Sequence, residues 1–438
     1  MLEESSALPK VLVISHNCFS KSGSNGRTLK MFFEDYPKEK LAQLFVVNET
    51  PDEERCVEYY RITDMDIVKS MLRSTSPGTK VSVDEKKSRN EQRAPQRDRG
   101  ENIIQKIKES TSSLLIRELI WRSPLWKKKQ INDWIEKFNP EIVLFQAGNL
   151  GYLCQFSEKI AEKYNIPLIV YNSEGYFFKK YNYVKGTLKK SVIFDIYQRI
   201  FRKNFSNMMR KVDKTIYISE ELKNAYDKVF SCESYYIMTS TTNSNLNEKK
   251  EDNEMLRISY LGNLGIGRYK SIIEIGKALQ NIDKKFFIDV YGIAPNKEVL
   301  VELKKAEGVN YKGVISYDQV LDIINNSDIN VHVEGFEAFY IEDSKFAFST
   351  KIADLLASGK TLFLYAPDNL TSTKYIVKNQ CGCVVTQQKD LKNKLEELIY
   401  DKELRENYIE KAKIIVKKNH NIEENRKKFQ QILIESKR

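Results

Sequence analysis

Short apolar runs alternate with helical spacing along nearly the whole chain. Residues 10–15, 41–48, 141–146, 167–172 and 214–219 are apolar runs bounded by turn residues. Such runs predict strands covered on both faces, as in a parallel sheet. Residues 24–35 follow the first run with helical spacing, and this alternation with short connections predicts a doubly wound sheet. The same rhythm restarts later, with strands predicted over 257–261, 286–291, 329–333, 361–365 and 382–386. Between them, helices are predicted over 269–281, 297–307, 317–326, 350–358 and 389–400. In the first of these, Ile272, Ile275, Gly276 and Leu279 share one apolar face. The charged tail, 403–437, reads as one or two helices.

Two polar stretches interrupt the rhythm. Residues 74–100 are rich in Lys, Arg, Gln and Ser and predict a mobile basic loop, either a plain solvated insert or a tether to anionic lipid. Residues 239–254 have the composition of an interdomain linker. The expected fold class is therefore α/β, with two Rossmann-like doubly wound domains in tandem. The expected domains are 1–245 and 246–418, with a last helix, 419–438, packing back on the first. Ligands of such sheets bind at the carboxyl ends of the strands, here expected to face a cleft.

Composition agrees with this picture and narrows the partners. The 438 residues suffice for two domains at roughly 100–200 residues each. A hydrophobic fraction of 41%, a charged fraction of 30% and a mean hydropathy of -0.50 fit a soluble globular protein. The net charge of +11 favours phosphate-rich partners, whether nucleic acid, anionic membrane or diphosphate substrate. The basic residues do not line up with exposed aromatics on strands, which argues against nucleic acid. No apolar stretch reaches the roughly 18–20 residues that span a bilayer. Residues 1–10 are polar and acidic, so no signal peptide is expected, and the six cysteines read as reduced thiols of a cytoplasmic protein. Cys381 and Cys383 flank one residue, a spacing that fits buried strand cysteines better than zinc ligands.

The chemistry concentrates in two stretches. After the strand at 257–261 comes Gly262-Asn263-Leu264-Gly265-Ile266-Gly267-Arg268, then a helix. The glycines allow close backbone approach to a ligand, and the helix start is expected to offer free N–H groups. Arg268 adds a forked cation suited to phosphate oxygens. A dinucleotide fingerprint would want an acid near the end of the next strand; Asp289 lies inside it, which disfavours a nicotinamide cofactor. The second stretch is Ser349-Thr350-Lys351-Ile352-Ala353-Asp354, continuing to Gly359-Lys360. Ser349 or Thr350 can cap the helix. Lys351 then opposes the helix dipole, a conflict that an anionic ligand would remove. Asp354 follows within a turn, where a carboxylate can hold ribose hydroxyls. The competing reading is an ordinary helix with a surface Lys and a first-turn Asp.

Together the two stretches resemble the GT-B glycosyltransferases, in particular family-4-like enzymes of bacterial capsule and exopolysaccharide synthesis. The Gly-Asn-Leu-Gly-Ile-Gly-Arg turn resembles their donor-phosphate loop, and Ser-Thr-Lys-Ile-Ala-Asp-Leu-Leu-Ala-Ser-Gly-Lys their nucleotide-binding helix. The likeness spans the second domain, where Tyr291-Gly292 and Lys312-Gly313-Val314 are similar to base-binding strand ends. It is thinner in the first domain, over 11–33 and 213–219. It implies a metal-independent hexosyltransferase that retains configuration, with no cofactor beyond a UDP- or GDP-linked sugar. Arg268 and Lys351 would grip the diphosphate, and Asp354 would stand for the ribose-binding Glu. The donor would also touch Gly262, Asn263, Gly265, Gly267, Ser349 and Thr350. The family's first Glu, eight residues before the second, is here Phe346, with Glu342 and Asp343 out of register. That departure keeps a non-catalytic scaffold, or a sugar-nucleotide epimerase, as alternatives.

On the acceptor side, the stretch Ser22 to Arg27, with Gly26, resembles the loop that closes over donor and acceptor; a structural turn fits equally. Glu174, after the strand at 167–172, is placed to orient or deprotonate an acceptor hydroxyl, or is a loop acid beside packed aromatics. His16 ends the first strand and reads as a hydrogen-bonded strand-end residue. Asp64 and Asp66 read as first-turn helix acids rather than a metal site. Residues 185–211 form a basic amphipathic pattern suited to an anionic bilayer or to ordinary packing. Trp121, Trp126 and Trp134, beside Lys127, Lys128 and Lys129, are a second interfacial candidate. The expectation is a cytoplasmic enzyme, peripheral on the inner membrane face, acting on a lipid-linked or polysaccharide acceptor.

Overall fold

The structure, a computed structural model, describes residues 7–19, 24–52, 54–73, 76–83, 111–184, 187–243 and 255–438. The chain forms two compact units. The first comprises Met1–Lys179, Lys190–Ile237 and Glu423–Arg438; the second comprises Lys180–Lys189 and Met238–Ile422.

In the first unit the apolar runs become β1 (Val11–Ser15), β2 (Leu41–Phe45), β5 (Ile142–Gln146), β6 (Leu168–Asn172) and β9 (Lys214–Tyr217). Three strands lacking a continuous apolar run escape the pattern: β3 (Glu58–Arg61), β4 (Thr79–Val81) and β10 (Glu233–Tyr236). The sheet runs β10-β9-β6-β5-β1-β2-β3-β4, parallel except for β4. β4 lies inside the stretch expected to be a mobile loop. It pairs Thr79–Val81 with β3, because an edge position needs backbone bonds and not apolar side chains. Residues 84–100 of that stretch lie outside the described residues. The helices are α1 (Ser24–Phe32), α2 (Asp64–Arg73), α3 (Thr111–Arg122), α4 (Lys129–Phe138), α5 (Gly151–Tyr164), α6 (Val192–Met209) and α7 (Glu220–Asp227). Ser191 and Ser219 cap α6 and α7 through their hydroxyls, while Asn139 and Asn165 end α4 and α5 in the left-handed conformation.

The three tryptophans are core and not interfacial residues, at 4%, 3% and 3% exposure for Trp121, Trp126 and Trp134. Trp121 stacks on Tyr152 at 4.5 Å, and Trp134 packs on Tyr60 at 5.0 Å. With their faces covered inside the unit, these rings offer no surface to a headgroup layer.

The second unit holds β11 (Ile258–Leu261), β12 (Ile288–Tyr291), β13 (Val309–Gly313), β14 (Ile329–Val333), β15 (Thr361–Tyr365) and β16 (Cys383–Val385). Their order is β13-β12-β11-β14-β15-β16, all parallel. The winding direction therefore reverses at β11, between β12 and β14. The helices are α8 (Arg268–Ile282), α9 (Lys297–Lys305), α10 (Tyr317–Asn326), α11 (Ala338–Ser344), α12 (Lys351–Leu356), α13 (Thr371–Asn379), α14 (Leu391–Tyr400) and α15 (Lys402–Asn419). A hairpin, β7 (Asn182–Val184) with β8 (Thr187–Lys189), also belongs here. Beside it Lys180 pairs with Glu342 at 2.7 Å. The last helix, α16 (Ile422–Ser436), carries the chain back to the first unit, where Phe429 stacks on Phe32 at 4.7 Å.

Sequence composition placed the boundary at 245/246, but the chain leaves the first unit at Ile237. The start of the expected linker is interior: Thr239, Ser240, Thr241 and Asn243 are all buried. Thr241 is satisfied locally. The Thr241 N–H donates to His420 O at 3.2 Å, and the Thr241 hydroxyl to Asp354 at 2.7 Å. Residues 244–254 lie outside the described residues. Among the described residues no helix is long and apolar enough to cross a membrane.

His420 is the most perturbed group of this region. Its Nδ1 lies 2.7 Å from Thr239 O, its Nε2 2.8 Å from the Tyr375 hydroxyl, and Phe348 stacks on the ring. Burial pushes its pKa down from 6.5 to about 4. The unfolded chain therefore binds this proton more readily than the folded one. Stability contributed by the neutral ring is full above pH 6.5 and falls as pH drops towards about 4. The loss should reach on the order of 3 kcal/mol. Urea titrations across that window check it: His420→Gln should flatten the decline, and an equally steep decline in the variant would exclude His420 as its source.

Candidate functional site

The point where strand order reverses is where doubly wound sheets bind ligands. In the second unit the glycine-rich turn leaves β11 there. Gly262 N–H donates to Tyr291 O at 2.9 Å, continuing the ladder past the strand end. The neighbouring strand end must come very close. A Cβ on Gly292 would stand 1.7 Å from Gly262 O, so only glycine fits. Asn263 then folds the turn, its Oδ1 accepting from Gly265 N–H at 2.7 Å and its carbonyl from the Tyr260 hydroxyl at 2.8 Å. Ile266 and Gly267 both take positive φ, 55° and 75°, before α8 begins at Arg268.

One expectation about this turn fails. The first N–H groups of α8 are taken by the turn itself. Arg268, Tyr269 and Lys270 donate to the carbonyls of Gly265, Leu264 and Gly267 at 3.2, 3.3 and 3.0 Å. The helix start therefore supplies little unsatisfied N–H, and the electrostatics of the site rest on side chains.

The main side-chain feature is a partner the sequence pattern did not single out. Glu334 follows β14 directly and grips Arg268 in a fork: Nε to Oε2 at 2.9 Å and Nη2 to Oε1 at 3.0 Å. Burial alone would raise the Glu334 carboxyl, but the Arg268 guanidinium and the His332 ring overcome it and hold the group below the usual carboxylate range. His332 Nε2 lies 3.3 Å from the same carboxylate. The segment after Glu334 packs directly on the turn. A Cβ on Gly335 would meet Ile266 O at 2.4 Å, and one on Gly267 would meet the Tyr340 ring at 2.7 Å. Lys270 reaches Glu337 at 2.6 Å, and the Ser271 hydroxyl donates to Glu334 O at 2.7 Å. The signal was a strand-end Glu followed by Gly, at the sheet edge where α/β ligands bind.

The second stretch starts α12 at Lys351, after the same strand. In a parallel sheet the chain from β14 returns through such a helix to β15, so α12 begins on the carboxyl side, as α8 does. The capping expectation is not met: Thr350 holds the N-cap position in a helical conformation, and neither hydroxyl caps the helix. Ser349 contributes its carbonyl, which accepts from Ile352 N–H at 3.1 Å. Ser349, Thr350 and Lys351 are half-buried, while Ile352 to Leu356 are buried. Asp354 is only 3% exposed, and its Oδ1 accepts from the Thr241 hydroxyl at 2.7 Å.

The first-unit candidates sit on separate elements. Glu174 follows β6 and pairs with Lys179 at 3.1 Å, beside Phe177 and Phe178, which pack against Tyr226. Gly26 lies within α1 and not in an open loop, while Ser22 and Gly23 lie outside the described residues. The Asp64 carboxylate is held by Arg117 at 2.9 Å and Trp121 at 2.8 Å, and Asp66 folds back on Thr63.

Comparisons with known proteins agree with this architecture. A family profile described as "Glycosyl transferase-like" matches residues 276–432. No curated protein matches the chain by sequence. Among solved structures, Anabaena Alr3699/HepE in complex with UDP superposes with a TM-score of 0.64 at 10% identity, covering 97% of this chain and 99% of that one. An α,α-trehalose 6-phosphate synthase from Burkholderia multivorans gives 0.61 at 9% identity, with 98% and 99% covered. WaaG, a glycosyltransferase involved in lipopolysaccharide biosynthesis, gives 0.56 at 10% identity, with 97% and 99% covered. The fold is that of the GT-B glycosyltransferases, with two parallel-sheet α/β domains.

Two stability measurements test how the site is built. Glu334→Ala should cost roughly 3 kcal/mol in urea unfolding, because it strands a partly buried guanidinium. Replacing both partners, as Glu334→Leu with Arg268→Met, should cost less than that single change; a larger cost would show that the pair is not a self-contained unit. Thr241→Val should cost about 1–3 kcal/mol, because it removes a donor from the buried Asp354 carboxylate and the acceptor of the Asn243 N–H. No loss would mean that Thr241 does not anchor that carboxylate.

Proposed function

We propose that the chain is a glycosyltransferase that moves a sugar from a UDP- or GDP-linked donor to a lipid-linked or polysaccharide acceptor in cell-surface glycan synthesis. One observation carries this reading. The glycine-rich turn, Arg268 and its buried partner Glu334 meet where the strand order of the second sheet reverses, with Lys351 starting a helix on the same edge. The neighbour crystallised with UDP, and again with UDP and glucose, supports a nucleotide-sugar donor. The neighbour involved in lipopolysaccharide biosynthesis supports a lipid-linked acceptor. On this reading the protein works on the cytoplasmic side, at an anionic membrane surface.

The physical argument concerns the leaving group. Breaking the sugar–diphosphate bond builds negative charge on the diphosphate, and cations fixed beforehand stabilise that charge without reorganising. Arg268 is fixed by the Glu334 fork, so its guanidinium plane is set before a donor arrives. Lys351, starting α12, is the second cation. With both in place the reading calls for no metal. The buried, negative Glu334 lies at the same edge, where positive charge develops on the sugar as the bond breaks. The backbone of Gly262, Asn263, Gly265 and Gly267 forms the floor, with Ser349 and Thr350 as hydroxyl contacts. Glu174 is assigned to the acceptor side. Asp354, a buried carboxylate anchored by Thr241, is assigned to the ribose.

A second reading is favoured by a specific feature. Phe346 stands where the family-4-like pattern has its first Glu, and a scaffold that binds glycan without transferring it would tolerate that. Calorimetry with UDP and GDP separates the two, since the enzyme must bind one of them. Arg268→Ala and Lys351→Ala should each lower transfer by about 100-fold or more, with melting temperatures within a few degrees of the parent for Lys351→Ala. Full transfer in the double variant would refute the assignment.

A further inference from the structure

A cavity of about 710 Å³ lies within the first unit, at the carboxyl ends of β1, β2 and β3 and beneath α2 and α3. His16 and Arg61 line it from the strand ends, Met65 and Lys69 from α2, and Ile116 and Ile120 from α3. Its rim is unusual. Met65 and Ile116 line the cavity yet are 55% and 50% exposed, so it opens between the two helices. The same helices carry Leu72 at 81% and Leu119 at 73% exposure, and the loop after α3 carries Leu125 at 71%. Met65 and Leu72 are seven apart, and Ile116 and Leu119 three apart, so each pair forms a stripe on one helix face. Single exposed apolar residues are ordinary, but two stripes meeting at one opening mark a contact surface.

Charge identifies the partner. Lys69, Arg73, Arg122, Lys127, Lys128 and Lys129 surround the stripes and are exposed. The acids of the two helices do not offset them at the surface: Asp64 binds Arg117 and Trp121, Asp66 binds Thr63, and Glu118 is buried beside Asn204. Lysine is depleted from protein–protein contacts, whereas leucines ringed by lysines suit a bilayer, whose anionic headgroups meet the ammonium ends. Within the cavity the buried Arg61 Nε has no partner among the described residues. His16 is held neutral mainly by burial, its Nδ1 lying 3.1 Å from Asn17 Oδ1. The cavity thus combines an apolar rim with the Arg61 guanidinium further in, which spends one N–H on Glu49 O, while the Asp64 and Asp66 carboxylates that also line it are paired with Arg117, Trp121 and Thr63.

We propose that α2 and α3 form a docking face for an anionic lipid bilayer, and that the cavity between them receives a phosphate-bearing lipid headgroup. The headgroup part rests on the reading of a lipid-linked acceptor; the docking part does not. Co-sedimentation of the full chain with phosphatidylcholine vesicles, and with vesicles of equal phosphatidylcholine and phosphatidylglycerol, tests it. Binding is expected only to the second. Lys127→Glu with Lys128→Glu and Lys129→Glu should weaken it on the order of 100-fold, and Arg61→Gln about fivefold. Leu72→Ser with Leu119→Ser and Leu125→Ser should weaken it at least about tenfold at unchanged melting temperature. No vesicle binding overturns the proposal. So does a lowered melting temperature in the leucine variant, which would mean that the chain itself covers these residues. So does binding lost only in Ile193→Glu with Ile196→Glu, which would move the contact to α6. An unaltered Arg61→Gln removes the cavity from it. UDP calorimetry on the same variants keeps the outcomes apart: vesicle binding can fail while UDP still binds, and the converse fails only the transferase reading.

Discussion

The second unit's site depends on one constraint, the buried fork between Arg268 and Glu334. It joins the residue after the β11 turn to the residue that follows β14, the neighbour of β11 across the reversal. A charge pair removed from water holds only when its geometry is good and its remaining lone pairs are satisfied. Here His332 approaches the same carboxylate and Ser271 takes the Glu334 carbonyl. The pair therefore positions the turn as well as the cation. Gly335 and Gly267 let the two segments touch, and a side chain on either would push them apart.

This arrangement shifts the usual weight between backbone and side chain. A helix start beside a glycine turn is often credited with anion binding through its free N–H groups. Here the turn's own carbonyls occupy those groups, so charge, not backbone dipoles, dominates. Fixed charges also suit a reaction in which charge appears on a departing group, because they need no reorientation when it does. Asp354 illustrates the cost of tight packing. Its helix is buried on most sides, and its carboxylate ties down the segment that leads into the second unit.

The first unit follows the same winding rule but uses its surface differently. Its three tryptophans went to the interior, while Leu72 on α2 and Leu119 on α3 remained outside among cations. A helix normally hides its apolar stripe against the sheet. These two helices bury Ile67 and Trp121, along with the polar Ser70 and Glu118, and still leave Met65, Leu72, Ile116 and Leu119 in solvent.

Local pattern determined the element types, the two doubly wound sheets and the glycine turn with Arg268, because burial on both faces forces continuous apolar runs that chain neighbours reveal. It placed α10 at Tyr317–Asn326 and β15 at Thr361–Tyr365 to the residue. It missed β3, four residues with a charged residue at each end, and β4, whose edge position needs backbone bonds more than apolar side chains. It took Thr239 to Asn243 for linker, since a polar segment looks the same whether water or Asp354 and His420 satisfies it. It could not single out Glu334 as the partner of Arg268, 66 residues away, because which charges meet is decided by strand order. The sequence by itself determined what each segment could become; the tertiary structure decided which polar groups would be buried together, since burial is a property of contacts between distant segments and not of any one of them.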